Sequence, residues 1–303
     1  MRARIITSMT REWHITRDRR IPIGERTLIM GILNVTPDSF SDGGEFFSLD
    51  KALAHAKQMI AAGADIIDVG GESTRPGDAS IVSAAEELER VIPVITQLAR
   101  RFDVPISIDT TKAAVARAAL EAGAAIVNDI SALRFEPELA DEVARLGAGL
   151  VLMHSRGTPG ELHGLPPVED IIEEVTSSLR SSVVIAEQRG VKRASIVIDP
   201  GVGFGKSQKQ NLELIAKLDQ IVAAFADFPL LIGTSRKSFL GRILADADGN
   251  PAPPDERLHG TIASTTAAIL KGAHIVRVHD VKEGLEAARV VDAIRSAATV
   301  RKQ

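Results

Sequence analysis

No cysteine occurs among the 303 residues, which removes disulfides, thiolate nucleophiles and thiolate-bound metals from consideration. Neither sign of charge dominates: 36 Lys and Arg stand against 40 Asp and Glu, for a net charge of −4. Without a basic surface or a long block of like charge, binding to nucleic acid is not expected. Any anionic ligand must then be held by local groups rather than by a global field. No apolar run reaches membrane length, so no membrane partner is expected. The N-terminus lacks the apolar core of a signal peptide: Arg2, Arg4, Arg11, Arg17, Arg19 and Arg20 are spread through mixed residues. Glu12 and Asp18 weaken a transit-peptide reading, and the expected compartment is the cytoplasm. Aromatic residues make up only 3% of the chain, so an aromatic outside the core is informative.

What the chain has in quantity is a repeated phrase. AAGADIIDVGG, EAGAAIVNDIS, RLGAGLVLMHS, QRGVKRASIVIDPG and LKGAHIVRVHD each join a helix end, a glycine, a short apolar run and a polar residue. Gly63, Gly123, Gly147, Gly190 and Gly272 stand where a left-handed residue ends a helix. The apolar runs have strand length and are rich in Val and Ile. Leu28–Leu33, Val104–Asp109 and Pro229–Thr234 bring the candidate strands to eight. Amphipathic stretches fill the gaps: Asp50–Ala62, Ala84–Arg101, Lys112–Ala122, Pro137–Leu146, Val168–Arg189, Asn211–Phe225, Gly260–Lys271 and Val281–Ala297. Strand–helix alternation implies right-handed βαβ units and a parallel sheet. Eight units predict an α/β fold closed into a (β/α)8 TIM barrel. It should form one domain over 1–303, with its core at about 27–298 and a short N-terminal hairpin or arm on the lower end. An open doubly wound sheet is disfavoured, because the first strand is not followed by a dinucleotide-binding glycine pattern.

In such a barrel the C-terminal ends of the strands converge on one mouth. Those ends carry Asn34, Asp109, Asn128, His154, Asp199, Thr234 (followed by Ser235, Arg236, Lys237 and Ser238), and Arg277 with His279. Asp68 and Asp129 are read as caps of the next helix, and His14, His55 and His259 as structural or surface residues. Asp109, Asn128 and Asp199 offer carboxylate and amide groups suited to the donor/acceptor edge of a flat, guanidine-like heterocycle. Arg277, His279, Ser73, Thr74 and Arg75 suit a phosphate or pyrophosphate. Asp199-Pro200-Gly201-Val202-Gly203-Phe204-Gly205-Lys206 lacks the spacing of a nucleotide P-loop. Its glycines instead bring backbone close to a ligand, with Phe204 as an aromatic wall.

The segments MGILNVTPDSFSDGG, GGESTRPG, SIDTTK, IVNDIS, LMHSRGTP, IDPGVGFGKS, GTSRKSFLG and RVHDV occur in this order. With them the chain resembles the dihydropteroate synthase family from about Leu28 to Ala297. The resemblance implies condensation of 6-hydroxymethyl-7,8-dihydropterin pyrophosphate with p-aminobenzoate to 7,8-dihydropteroate and pyrophosphate. The enzyme would be a Mg²⁺-assisted homodimer of the folate pathway and a sulfonamide target. By this resemblance Asn34 holds the Mg²⁺. Asp109, Asn128, Met153, Asp199, Gly233 and Lys237 bind pterin. Asn34, Ser73, Thr74, Arg75, Arg277 and His279 take the pyrophosphate, and Thr74, Pro76, Phe204, Lys237 and Ser238 the p-aminobenzoate. Phe40 and Asp42 fall in a first mobile loop. Catalysis would rest on Asn34, Asp109, Lys237, Arg277 and His279, and Ser155 departs from the common family pattern outside these groups.

Competing readings are a pterin-binding methyltransferase domain, a Schiff-base aldolase using Lys237, and a catalytically silent pterin binder. The stretch 36–44 is read as a lid with its hinge at Gly43-Gly44. A helix is expected to start near Ser48 or Asp50, and the helices flanking Ala245–Asp255 are the expected dimer contact.

Overall fold

The computed structural model of the chain describes residues 11–36, 45–72, 82–158 and 165–299. An antiparallel hairpin, β1 (Arg11–His14) and β2 (Arg20–Ile23), comes first. The alternating units follow as β3 (Leu28–Asn34), α1 (Glu45–Ala61), β4 (Ile66–Gly70), α2 (Ala84–Arg101), β5 (Ile106–Asp109), α3 (Ala113–Glu121), β6 (Ile126–Asp129) and α4 (Leu139–Leu146). The second half contains β7 (Gly149–Met153), α5 (Ile171–Gln188), β8 (Ile196–Asp199), α6 (Gln208–Ala216), α7 (Leu218–Ala224), β9 (Leu231–Ile232), α8 (Ser238–Ile243), α9 (Leu258–Leu270), β10 (Ile275–Val278) and α10 (Val281–Thr299). The eight parallel strands run β8-β7-β6-β5-β4-β3-β10-β9, and a parallel bridge between Ile198 and Leu230 joins the two ends. The sheet is therefore the expected barrel, in a single domain.

Local chemistry explains the element ends. Gly63, Gly123, Gly147, Gly190 and Gly272 all have positive φ, as required of left-handed residues closing a helix. Ser83 caps α2, Asp170 caps α5, and Ser207 with Gln210 forms a reciprocal capping box on α6. Beyond shifts of a few residues at element ends, three features differ from the sequence expectation. Helix α1 begins at Glu45, so Ser48 and Asp50 lie inside it rather than at its cap. The single helix expected over Asn211–Phe225 is two, α6 and α7, meeting at Lys217. The short α8 directly after Lys237 was not foreseen, because a two-turn helix shows too few periods to read.

Two apolar layers share the strands. Residues of one parity, among them Ile29, Ile67, Ile108, Val127, Leu152 and Val276, pack outward against the helices. The other parity supplies Met30, Ile66, Ile126, Val151, Val197 and Ile275 to the barrel interior, where they meet Trp13, Ile15 and Ile23 of the hairpin region. Trp13 is fully buried and its Nε1 donates to the Ser195 carbonyl at 2.8 Å, while the Gly149 amide donates to the Ile15 carbonyl at 3.2 Å. Both contacts lie at the strands' N-terminal side. The hairpin thus plugs the lower end, as expected for the arm, and leaves the upper end for chemistry.

Candidate active site

Register aligns the upper strand ends. Asn34 pairs with Gly70, Gly70 with Asp109, Asp109 with Asn128, and on the far side Met153 with Asp199. Because side chains alternate along a strand, Asp68, Asp109, Asn128, Met153, Asp199 and Arg277 continue the interior parity set by Ile66, Ile126, Val151, Val197 and Ile275. An ideal Cβ on Gly70 would lie 3.7 Å from Asn34 Oδ1 and 3.9 Å from Asp109 Oδ2, so these two oxygens flank one backbone position.

Arg277 is the hub. Its Nε donates to Asp68 Oδ2 at 2.6 Å and its Nη2 to Asp109 Oδ2 at 2.8 Å. Asn128 Nδ2 donates to the same Asp68 oxygen at 3.0 Å. Asp68 is fully buried, and its Oδ1 has no hydrogen-bond partner among the described residues. Burial raises the Asp109 carboxyl to about 7, opposed by Arg277 and reinforced by the carboxylates of Asp68, Glu87 and Asp129. Asp68, read from sequence as a cap, is therefore part of the site. Asp129 does serve local structure: it accepts from Ser131 N, Ser131 Oγ and Leu133 N, closing the turn after β6.

Across the mouth, Asp199 Oδ1 accepts from the Gly201 amide at 2.7 Å, which folds the glycine-rich loop back over β8. Burial raises the Asp199 carboxyl, with Lys237 pulling the other way. Lys237 Nζ donates to the Val202 carbonyl and sits 4.5 Å from the centre of the half-buried Phe204 ring. Burial lowers the Lys237 ammonium to about 8, partly offset by Asp199. Phe204 is thus a wall beside a cation rather than an ordinary core aromatic. Ser238 is the first residue of α8, half-buried next to Lys237. Gly233 lies beside Arg277, whose Cβ an added Cβ would meet at 3.6 Å. His279 Nδ1 is 2.9 Å from Ser235 Oγ, which also accepts from the His279 amide.

Two of the strand-end residues expected at the mouth point elsewhere. Thr234 Oγ1 contacts Thr265 Oγ1 at 3.2 Å and accepts from Ser264 Oγ, both on α9. His154 is buried with Nε2 3.9 Å from Glu174 of α5, and burial together with Lys206 lowers its imidazole to about 2. Both take the outward parity of their strands. Ser73, Thr74, Arg75 and Pro76, and Phe40 and Asp42 with the lid reading of 36–44 beyond Thr36, lie outside the described residues. Among the described residues no three acidic or imidazole side chains cluster as a metal cage.

Residues 30–279 match the family of pterin binding enzymes. A dihydropteroate synthase of Synechocystis sp. is 50% identical over 271 residues, covering 89% of this chain and 91% of its own. A crystal structure of Burkholderia cenocepacia dihydropteroate synthase complexed with 7,8-dihydropteroate is 40% identical with a TM-score of 0.82, covering 96% of this chain and 99% of that one. The Xanthomonas albilineans enzyme solved with 4-aminobenzoic acid is 38% identical with a TM-score of 0.84, covering 97% of this chain and 100% of that one.

Proposed function

This chain belongs to the dihydropteroate synthase family of pterin-binding enzymes, and from that premise we propose how its strand-end residues divide the work. The enzyme is a transferase that condenses dihydropterin pyrophosphate with p-aminobenzoate, giving dihydropteroate and pyrophosphate. The observation that carries the assignment of residues is the Asp68–Arg277–Asp109 array with Asn128 on the same carboxylate. It places acceptors, an amide and a guanidinium at one level of the mouth, where a flat ring and an anion can be bound side by side.

Asp109, Asn128 and Asp199 hold the polar edge of the pterin, with Met153 and Gly233 lining it. Asn128 Nδ2 uses one of its two N–H donors on Asp68, which orients the amide with Oδ1 to accept from the ring. Arg277 and His279, with Ser73, Thr74 and Arg75, receive the pyrophosphate. Lys237, Phe204 and Ser238, with Thr74 and Pro76, surround the p-aminobenzoate. The bond from the pterin methylene carbon to the pyrophosphate oxygen breaks, and the aniline nitrogen forms the new C–N bond and sheds a proton. Positive charge that develops on the pterin is favoured by the carboxylates of Asp68, Asp109 and Asp199. Holding both substrates in line contributes the rest.

Magnesium fits this donor set. Mg²⁺ keeps several waters and is bound through one or two protein oxygens together with substrate phosphates. Asn34 Oδ1, beside Gly70 and Asp109, is an oxygen of that kind, and Asn34 would hold the ion. When bound, it neutralises charge on the departing pyrophosphate.

The enzyme is proposed to act as a homodimer. A groove of about 1240 Å³, lined by apolar residues including Ile215, Val222, Ala267 and Leu270, runs between α6, α7, α8 and α9. Leu212, Ile243, Leu244 and Leu270 are exposed along it, and a large exposed apolar patch marks a protein interface. A second copy of the same surface, related by a two-fold axis, would cover it. Helices α8 and α9, which flank Ala245–Asp255, carry part of this face.

Turnover with Mg²⁺ titration tests the assignment. The purified protein should form dihydropteroate and pyrophosphate in equal amounts, and Asn34→Ala should need roughly ten-fold more Mg²⁺ or greater. An unchanged Mg²⁺ requirement in Asn34→Ala would remove Asn34 from the metal. Pterin binding without product would mark a catalytically silent binder.

A further inference from the structure

We infer that Lys206 is a positioning residue for the second substrate, an internal cation that fixes the glycine-rich loop so that Phe204 and Val202 bracket Lys237. This inference rests on the reading that Phe204 and Lys237 flank the p-aminobenzoate. Lys206 itself reaches the loop only through backbone oxygens. Its Nζ donates to the carbonyls of Gly201 at 2.8 Å, Phe204 at 3.1 Å and His154 at 3.2 Å.

Three carbonyl oxygens converging on one point repel each other unless a donor stands between them. An ammonium has three N–H groups and can satisfy all three; a glutamine amide has two, and a thioether none. The loop around this point is tightly built. Gly201, Gly203 and Gly205 all have positive φ, and an added Cβ on Gly201 would lie 1.8 Å from the His154 carbonyl oxygen. The Gly203 amide donates to Asn211 Oδ1 at 2.6 Å, and Arg156 Nη1 donates to the Gly205 carbonyl at 3.1 Å. These bonds fix the outer edge of the loop, while Lys206 fixes its centre from within.

The consequence reaches the site by two short paths. Val202, next to Gly201, supplies the carbonyl that receives Lys237 Nζ. Phe204, whose carbonyl Lys206 holds, supplies the ring beneath that same Nζ. Loss of the internal ammonium releases both together. Asp109 and Asn128 stand on strand ends held by the barrel ladder, while Asp199 and Lys237 meet the loop only through the Gly201 amide, the Val202 carbonyl and the Phe204 ring, so the first substrate should be affected less. Burial lowers the Lys206 ammonium well below its ordinary range, with Asp199 opposing; the three carbonyl acceptors favour the charged form.

The test compares Lys206→Met, Lys206→Gln and Phe204→Ala in the full-length enzyme by steady-state kinetics for each substrate, with thermal melting alongside. Lys206→Met is expected to raise KM for p-aminobenzoate roughly ten-fold or more, with KM for dihydropterin pyrophosphate changed by less than about three-fold. Lys206→Gln should fall between wild type and Lys206→Met. If Phe204→Ala raises the p-aminobenzoate KM but Lys206→Met does not, Lys206 has no positioning role. A loss that strikes both substrates alike, follows the melting temperature and is no milder in Lys206→Gln makes Lys206 a stability residue only and overturns the proposal. An unchanged p-aminobenzoate KM in Phe204→Ala removes the aromatic wall itself, and the proposal with it.

Discussion

Asp68 shows how one buried carboxylate organises a polar site. It accepts from both Arg277 and Asn128, which fixes the guanidinium and the amide orientation at once. The Asp109 carboxyl, raised to about 7, is faced by Arg277, Asp68, Glu87 and Asp129. Its charged form is filled above that pH, so kcat/KM should fall as pH drops below about 7. Lys237, lowered to about 8, loses its charge above that value, which sets the alkaline limb. Asp68→Asn removes a negative neighbour of Asp109 and leaves Arg277 more fully to it; both effects move the acid limb to lower pH. Losing a charge-assisted anchor costs about 1.5–3 kcal/mol, roughly ten- to hundred-fold in kcat/KM. A pH–rate profile of Asp68→Asn checks this: an acid limb and plateau identical to wild type would mean that Asp68 does not govern the array. The role of Asp68 was within reach of the sequence. Asp68 and Gly70 share one parity along their strand, as Asp109 and Ser107 do along theirs, whereas Asp129 stands one residue out of step with Asn128. Applied to every strand end, period two separates Asp68, Asp109, Asn128 and Asp199 from Asp129, His154 and Thr234. What no periodicity supplies is the reach of Arg277 across the barrel to β4 and β5, a pairing separated by 209 and 168 residues.

At the scale of elements, strands and most helices were legible because five of the helices end on a glycine and the units begin with a cap or an apolar period. The break between α6 and α7 was not, since Asn211–Phe225 keeps its apolar period across Lys217 and only the backbone there departs from helix. The face formed by α6 to α9 carries a prediction of its own. Leu270 is 53% exposed at the end of α9, a poor place for a large apolar side chain unless another molecule covers it. Sedimentation of the wild-type enzyme should give twice the chain mass, and Leu270→Glu should shift it towards the single chain, because a buried glutamate without a partner is costly. A wild-type enzyme that sediments as a monomer at micromolar concentration would contradict the proposed dimer.

The molecule as a whole is a barrel closed below by the Trp13 hairpin and open above onto a ring of polar strand ends. Its net charge of −4 offers no general attraction to an anionic substrate, so under the proposed assignment binding depends on the local cations Arg277 and Lys237 and on what accompanies the pyrophosphate. The sequence motifs revealed both the fold and the chemistry, because a parallel barrel sends every strand end to one mouth. The central claim is that this mouth holds the pterin through Asp109, Asn128 and Asp199. Calorimetric titration of dihydropterin pyrophosphate into wild type and Asp199→Ala tests it most directly. Wild type should bind, and Asp199→Ala should lose measurable affinity, since ring donors would be left buried without their acceptor. Equal affinity in the two proteins would contradict this placement of the pocket.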